Sequence, residues 1–183
     1  MARPYQPSLL RLLHGATALL VPLAWLSGLV VYSLHDGRFG RLPLPLLRGA
    51  ERGSGEWIDI HGTLGVLLWP LALLFLLYAL TAGRSRLGQA ANAVALLSLV
   101  LAVGSGKLMD EDWLRQGQLT HPVYSLHLLA WLGVALAVPL HVAGVLQRGG
   151  LPLARSMASL SLHANDRPAQ WLGQLRRGLP FRR

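Results

Sequence analysis

Four histidines lie within, or at the end of, long apolar stretches of the chain, at His14, His61, His127 and His141. An ionisable side chain inside a bilayer is costly and usually faces the interior of a helix bundle, so each of the four is a candidate for function. Neutral imidazole is a common metal ligand that buries no charge. For one histidine taken alone, hydrogen-bonded packing is the alternative, but the arrangement of the four favours ligands.

The spacing of two of these histidines predicts two sites rather than one. His127 and His141 bound the apolar run "YSLHLLAWLGVALAVPLH" and are 14 residues apart. In an α-helix this spacing leaves the second residue about 40° from the first, so both lie on one stripe. The rise of about 1.5 Å per residue separates them by about 21 Å, which is too far for one small site.

The elements that carry these residues are predicted to be membrane helices. The chain is 52% hydrophobic and 14% charged, whereas soluble domains carry about 25% charged residues. Four stretches reach the length of about 17–25 residues that crosses a bilayer, and they run over 9–32, 60–80, 87–104 and 123–146. The third is the shortest and holds the polar residues Gln89 and Asn92. The first lacks a small-x-small cleavage site, so we expect a retained helix rather than a signal peptide.

Four spans predict an all-α, up-down membrane bundle with both termini on one side. That side would hold eleven cations and one acid, Asp166, whereas the opposite side would hold six cations and seven acids. The positive-inside rule therefore predicts an integral, multi-pass protein with both termini in the cytoplasm. This distribution accounts for the net charge of +9 without nucleic-acid binding, which we do not expect.

The directions of the helices sort the histidines into two pairs. His14 lies early in the first span and His141 late in the fourth, so both fall on the cytoplasmic side. His61 begins the second span and His127 lies early in the fourth, so both fall on the opposite side. We name His14 and His141 the inner pair, and His61 and His127 the outer pair. The pairing is the same if the topology is inverted.

A haem iron fits two histidines at each level better than zinc does. A structural zinc takes about four protein ligands and a catalytic zinc about three, yet the chain has no cysteine and its spans contain no Asp or Glu. A haem iron takes its equatorial ligands from porphyrin and needs only two axial ligands from protein. The bundle is therefore predicted to hold two haems, and the lack of cysteine excludes covalent attachment and iron–sulfur clusters.

Glycines and cations near the two levels are further candidates for haem contacts. Gly15 and Gly28 are 13 residues apart in the first span, one near each level, and would leave room for a flat porphyrin. Close helix packing is the alternative role for them. Arg11, one turn before His14, is the candidate partner of an inner propionate. Outer candidates, each with a purely topological charge as the alternative, are Arg38, Arg52 and Lys107.

With these residues assigned, the chain resembles the prokaryotic cytochrome b561 family, which includes the cytochrome b subunit of membrane nickel–iron hydrogenases. The motifs that carry the resemblance include "LLRLLHGATALL", "WIDIHGTLGVLLWP", "GSGKLMDEDW" and "YSLHLLAWLGVALAVPLHVAGVL", over about residues 5–150. The chain looks most similar to short, single-domain members found in cyanobacteria.

The resemblance implies a four-helix bundle, two haem b groups and electron traffic with quinone or a docked redox partner. The family has one ligand histidine in its first helix, one in its second and two in its fourth, which correspond to His14, His61, His127 and His141. Residues 1–150 are then the transmembrane cytochrome b domain and 151–183 a basic cytoplasmic tail. Within the tail, 168–177 is either a membrane-surface segment on anionic lipid or disordered.

Three functions are consistent with the sequence. The leading hypothesis is a transmembrane di-haem cytochrome that carries electrons between a redox partner or small donor and quinone. The alternatives are a self-contained quinone oxidoreductase, for example with superoxide as donor, and a haem-free membrane anchor or transporter. Membrane lipid is an expected partner. The chain could form a homodimer or be a subunit of a larger complex. The resemblance suggests that it resides in the plasma or thylakoid membrane. The remaining histidines, His35, His121 and His163, are expected at the surface, and Trp131 in packing.

Overall fold

The computed structural model describes residues 5–38, 40, 43, 53–109, 112–113, 116 and 118–178. In this part of the chain the α-helices are α1 (Ser8–His35), α2 (Ser54–Leu80), α3 (Ala90–Leu108), α4 (Pro122–Met157) and α5 (Trp171–Arg177). Short 3-10 helices cover Arg84–Gly88 and Pro168–Gln170. The same residues contain no strand, and the predicted all-α fold is confirmed.

Helices α1 to α4 are each long and apolar enough to cross a membrane, which confirms the four predicted spans. Their ends differ from the prediction, and helix α2 begins at Ser54 rather than at residue 60. Helix α3 begins at Ala90 rather than at residue 87, because Arg84–Gly88 forms a 3-10 turn and Gln89 is extended. Helix α4 continues to Met157 instead of ending near residue 146.

Consecutive helices of the bundle run antiparallel. Leu13, early in α1, packs with Tyr78 near the end of α2, whereas Gly28, late in α1, faces His61 near the start of α2. The hydrogen bonds between α3 and α4 show the same reversal, because Asn92 pairs with His141 and Ala102, further along α3, pairs with the earlier His127. The bundle therefore has the predicted up-down arrangement, which brings residues of different helices to equal depths.

An apolar core at mid-depth joins three of the four spans. It consists of Leu68, Ala72, Leu99 and Val103, with Leu20, Val21 and Ala24 of α1 packed against it. Helices α1 and α4 meet through the stacked indoles of Trp25 and Trp131, whose ring centroids are 4.8 Å apart. Leucines such as Leu19, Leu129 and Leu136 face outward, where lipid would cover them.

Helix α4 is interrupted at Gly150, where φ is 58° and ψ is −158°. Glycine adopts a positive φ at little cost, and Pro152 follows the break within the same helix. The interruption falls at the expected boundary between residues 1–150 and 151–183. The assignment of these two ranges to a transmembrane domain and a cytoplasmic tail remains a prediction.

Beyond α4 the chain folds back onto the inner end of the bundle. The buried carboxylate of Asp166 accepts hydrogen bonds from the Ser8 backbone N–H, at 2.6 Å, and from the Tyr5 hydroxyl. The Trp171 indole donates to Ser8 Oγ at 2.8 Å, and Trp171 and Leu175 pack against the buried cluster of α1 and α2. The segment 168–177, for which a surface segment and a disordered one were the alternatives, is therefore helical from Trp171 and docked.

Candidate functional site

The four span histidines come together in two pairs, each bringing α4 against one other helix. The rings of His14 and His141 have centroids 6.1 Å apart and are tilted by 43°. The rings of His61 and His127 have centroids 6.0 Å apart and meet nearly edge to face, at 80°. The antiparallel directions of α1, α2 and α4 produce both pairs, because each helix contributes its histidine at the depth reached by its partner.

Each pair lines its own cavity. The outer cavity, of about 220 Å³, contains His61 and His127 in its wall, and the inner cavity, of about 460 Å³, contains His14 and His141. Three aliphatic residues line both cavities, namely Val21, Leu99 and Val134. The two cavities are therefore stacked along the bundle with an apolar layer between them.

Hydrogen bonds fix the rings of the outer pair. The Nδ1 atom of His127 lies 2.9 Å from the carbonyl oxygen of Ala102, with Ser105 Oγ at 3.2 Å. A carbonyl can only accept, so Nδ1 carries the proton and Nε2 keeps its lone pair. The Nδ1 atom of His61 lies 3.0 Å from Ser27 Oγ, whose own proton is directed to the Ala24 carbonyl at 3.0 Å. His61 has the same tautomer by the same reasoning.

The inner pair is held differently. The Nδ1 atom of His141 lies 2.8 Å from Oδ1 of Asn92, so a side-chain amide of α3 orients this ring. Beside His14, the Thr17 hydroxyl donates to the backbone carbonyls of Leu13, at 2.8 Å, and of His14, at 3.0 Å. At least three of the four imidazoles are thus held by Nδ1, the arrangement that leaves Nε2 available as a ligand.

A model of the prokaryotic cytochrome b561 family matches residues 5–159 of the chain. The chain belongs to the prokaryotic cytochrome b561 family. No curated protein sequence and no solved structure matches it. Membership confirms the predicted family and makes the protein an integral, multi-pass b-type cytochrome of electron transfer, in a family that binds haem b. A redox partner and membrane lipid are implied in kind.

The residues of this cytochrome fit the requirements of haem. Among the described residues no group of three or more His, Cys, Asp or Glu could hold a bare metal ion, whereas haem needs only two axial ligands. The two imidazoles of each pair have ring centroids 6.0 and 6.1 Å apart and lie in the wall of one cavity. Each pair could therefore hold one haem.

Glycines make room for the outer histidines of the cytochrome. A Cβ atom at Gly28 would lie 2.9 Å from Cε1 of His61, and one at Gly106 would lie 3.2 Å from Cε1 of His127. Gly28 is therefore needed for the imidazole itself, a role that the sequence did not predict, and Gly106 was missed as a site residue. Gly15 has open space around its Cβ position, and its role in haem clearance stays a prediction.

The predicted propionate partners are found in different surroundings. The buried Arg11 guanidinium donates to the carbonyls of Ser159 and Ser161, and the inner cavity is instead lined by Arg86. Lys107 lines the outer cavity. Arg38 pairs with Asp36 at 2.8 Å, and Arg52 lies outside the described residues.

Further side chains around the sites were not predicted. The side chains that contact the histidine rings are Ser27, Ser105 and Asn92. Each could have been suspected from the sequence as a polar residue inside an apolar span, and the two serines are also next to glycines. Trp25 and Trp131 both line the outer cavity, which agrees with the expected packing role of Trp131. The remaining histidines lie away from both pairs, with His121 and His163 exposed and His35 half-buried.

Proposed function

We propose that this cytochrome holds two haem b groups per chain and carries electrons across the membrane, between a redox partner or small donor and quinone. His14 and His141 would be the axial ligands of the inner haem, and His61 and His127 those of the outer haem. The observation that supports this proposal is the pair of stacked cavities, each with two imidazoles whose ring centroids lie about 6 Å apart in its wall.

When bound, haem supplies a one-electron ferric–ferrous couple. The protein's own residues have three tasks around it. The four histidines would hold the haem groups through their Nε2 atoms, with both histidines of a pair on one haem. The Nδ1 acceptors, such as the Ala102 carbonyl, keep the rings from rotating and keep Nε2 unprotonated. The apolar wall excludes water from the space between the cavities.

The two sites are spaced so that electrons cross most of the bilayer inside one chain. His127 and His141 lie on one helix 14 positions apart, a rise of about 21 Å. The layer between the cavities is built from Val21, Leu99 and Val134, which hold no exchangeable proton and no charge. Electrons, rather than protons or ions, are the species that such a layer lets pass.

The orientation that we propose places both termini, and the tail of residues 151–183, in the cytoplasm. The charge asymmetry supports this orientation, because one side holds eleven cations and a single acid. The tail docks at the same end of the bundle as the inner cavity, which Ala154 and Met157 help to line. The plasma and thylakoid membranes remain the two proposed locations.

Transmembrane electron transfer can be measured in vesicles. The purified protein would be reconstituted with ferricyanide trapped inside and a membrane-impermeant reductant added outside. We expect ferricyanide reduction that depends on the protein, is abolished in His127→Ala and persists in His121→Ala, whose exposed side chain caps α4. Reduction at the rate of empty vesicles, or an unaffected His127→Ala variant, would refute the proposal.

A further inference from the structure

We propose that Asn92 is the positioning residue of the inner site: its amide fixes the tautomer of His141 and thereby sets the affinity and reduction potential of the inner haem. The proposal rests on the function proposed above. Asn92 is the third residue of α3 and lies in its first turn, at the wall of the inner cavity. It is a polar residue inside a membrane span, where an amide is retained only if its hydrogen bonds are satisfied.

Every polar atom of the Asn92 side chain has a partner. Its Oδ1 atom lies 2.8 Å from Nδ1 of His141. Its Nδ2 atom donates to the backbone carbonyl of Arg86 at 2.9 Å and to Oε1 of Gln89 at 3.1 Å. The side chain therefore links the histidine on α4 to the turn that joins α2 and α3.

The backbone partner determines which way round the amide and the imidazole are. The Arg86 carbonyl can only accept, so the atom of Asn92 that faces it must be the NH₂ group. The amide oxygen then faces His141, and Nδ1 of His141 must carry the proton. The Arg86 carbonyl therefore fixes the orientation of the Asn92 amide, and the amide fixes the proton of His141 on Nδ1. Nε2 of His141 is then unprotonated, as a ligand nitrogen must be.

The use of a side-chain amide as the acceptor for a histidine distinguishes the inner site from the outer one. His127 relies on the Ala102 backbone carbonyl and His61 on the hydroxyl of Ser27. In the described part of the chain, an amide side chain orients a span histidine at His141 alone. The acceptor of the inner site can therefore be removed or changed by substitution without altering the backbone.

The strength of this acceptor has a predictable electronic effect. An imidazole that donates from Nδ1 to a good acceptor is a more basic ligand, and a more basic ligand favours ferric over ferrous iron. Loss of the acceptor should raise the potential of the inner haem, and a negatively charged acceptor should lower it. A purely structural role for Asn92 predicts no such change of sign.

The test compares Asn92→Leu with Asn92→Asp in the purified, haem-loaded protein. The inner component of the redox titration is identified as the one that disappears in His141→Ala. In Asn92→Leu we expect the affinity for the inner haem to fall by about 10–100-fold and its midpoint potential to rise. In Asn92→Asp we expect the haem to be retained with a lowered potential, and each tenfold change in the ferric-to-ferrous preference is about 59 mV.

Ser98→Ala is the matched control on the same helix, because Ser98 is a polar residue of α3 outside the lining of both cavities. We expect it to leave both potentials unchanged. If wild-type protein binds two haems but the two Asn92 variants move the inner potential in the same direction, or not at all, the role of Asn92 is refuted and the proposed function stands. A wild-type chain that binds no haem would overturn both.

Discussion

Replacing Asp166 by alanine removes a carboxylate that several donors share where the tail meets the bundle. Its oxygens accept from the Ser8 backbone N–H at 2.6 Å, from Ser8 Oγ at 2.9 Å, from Gln174 Nε2 at 2.9 Å and from the Tyr5 hydroxyl. Burial acts to raise the pKa of Asp166, but the bonds from Tyr5, Gln174 and Ser8 outweigh it and hold that pKa below the ordinary value of 3.8. The acid is therefore ionised at neutral pH, at the positive end of the α1 dipole.

The size of the effect follows from these contacts. A hydrogen bond to a charged group contributes about 1.5–3 kcal/mol, and an N-terminal cap about 1 kcal/mol. Bonds that converge on one carboxylate do not add, and Ser8 Oγ keeps a second acceptor in the Asp166 backbone carbonyl at 2.8 Å. We therefore expect the docking of the tail to weaken by about 3 kcal/mol, which enlarges its open fraction about 100-fold.

Limited proteolysis measures that fraction. Arg176 lies in α5, and trypsin can cut after it only when the tail is released from the bundle. Because cleavage tracks the open population when closing is fast, the product that ends at Arg176 should form about 100-fold faster in Asp166→Ala. Asn165→Ala, at an exposed neighbouring position, is the control and should be cut at the wild-type rate. A change of less than threefold in Asp166→Ala would refute the role of Asp166 in docking the tail.

Three further outcomes are expected. Because the pKa of Asp166 is depressed on folding, its stabilisation is present above pH 3.8 and lost as the pH falls below that value; thermal melts at pH 7 and pH 3 should therefore show a larger Tm loss in wild type than in Asp166→Ala. Gly28→Ala and Gly106→Ala should each lose the outer haem and keep the inner one, because the new Cβ would lie 2.9 or 3.2 Å from an outer imidazole. Gly15→Ala is the control and should keep both haems, and a pyridine haemochrome assay counts the haems in all three variants. Arg11→Leu should release the tail to trypsin, as its guanidinium binds tail carbonyls, and unchanged cleavage would contradict this role.

The histidine pairs could be predicted because they depend only on helical periodicity and on the direction in which each span crosses the membrane. Helical periodicity places His127 and His141 on one stripe, and the direction of each span fixes the depth of its histidine. No detail of side-chain packing enters that argument. The apolar spans were equally predictable from their lengths, and only their ends shifted, chiefly at the start of α2, at the polar start of α3 and past the kink at Gly150.

The docked tail lay beyond reach of the sequence for a physical reason. Asp166 and Ser8 are separated by 158 positions, so neither local propensity nor periodicity links them. Arg11 illustrates the consequence, because its position one turn before His14 favoured a haem contact, yet the carbonyls of Ser159 and Ser161 compete for the guanidinium. Asn92 did carry a signal as a polar residue in a span, but its partner depends on the register of α3 against α4.

The most direct test of the central claim is a redox titration of the four single variants His14→Ala, His61→Ala, His127→Ala and His141→Ala, with haem counted per chain. Wild type should hold two haems with separate midpoint potentials. We predict that the His14 and His141 variants lose the same component, and that the His61 and His127 variants lose the other. A variant that keeps both haems, or loss of the same component in the His14 and His61 variants, would contradict the pairing on which the account depends.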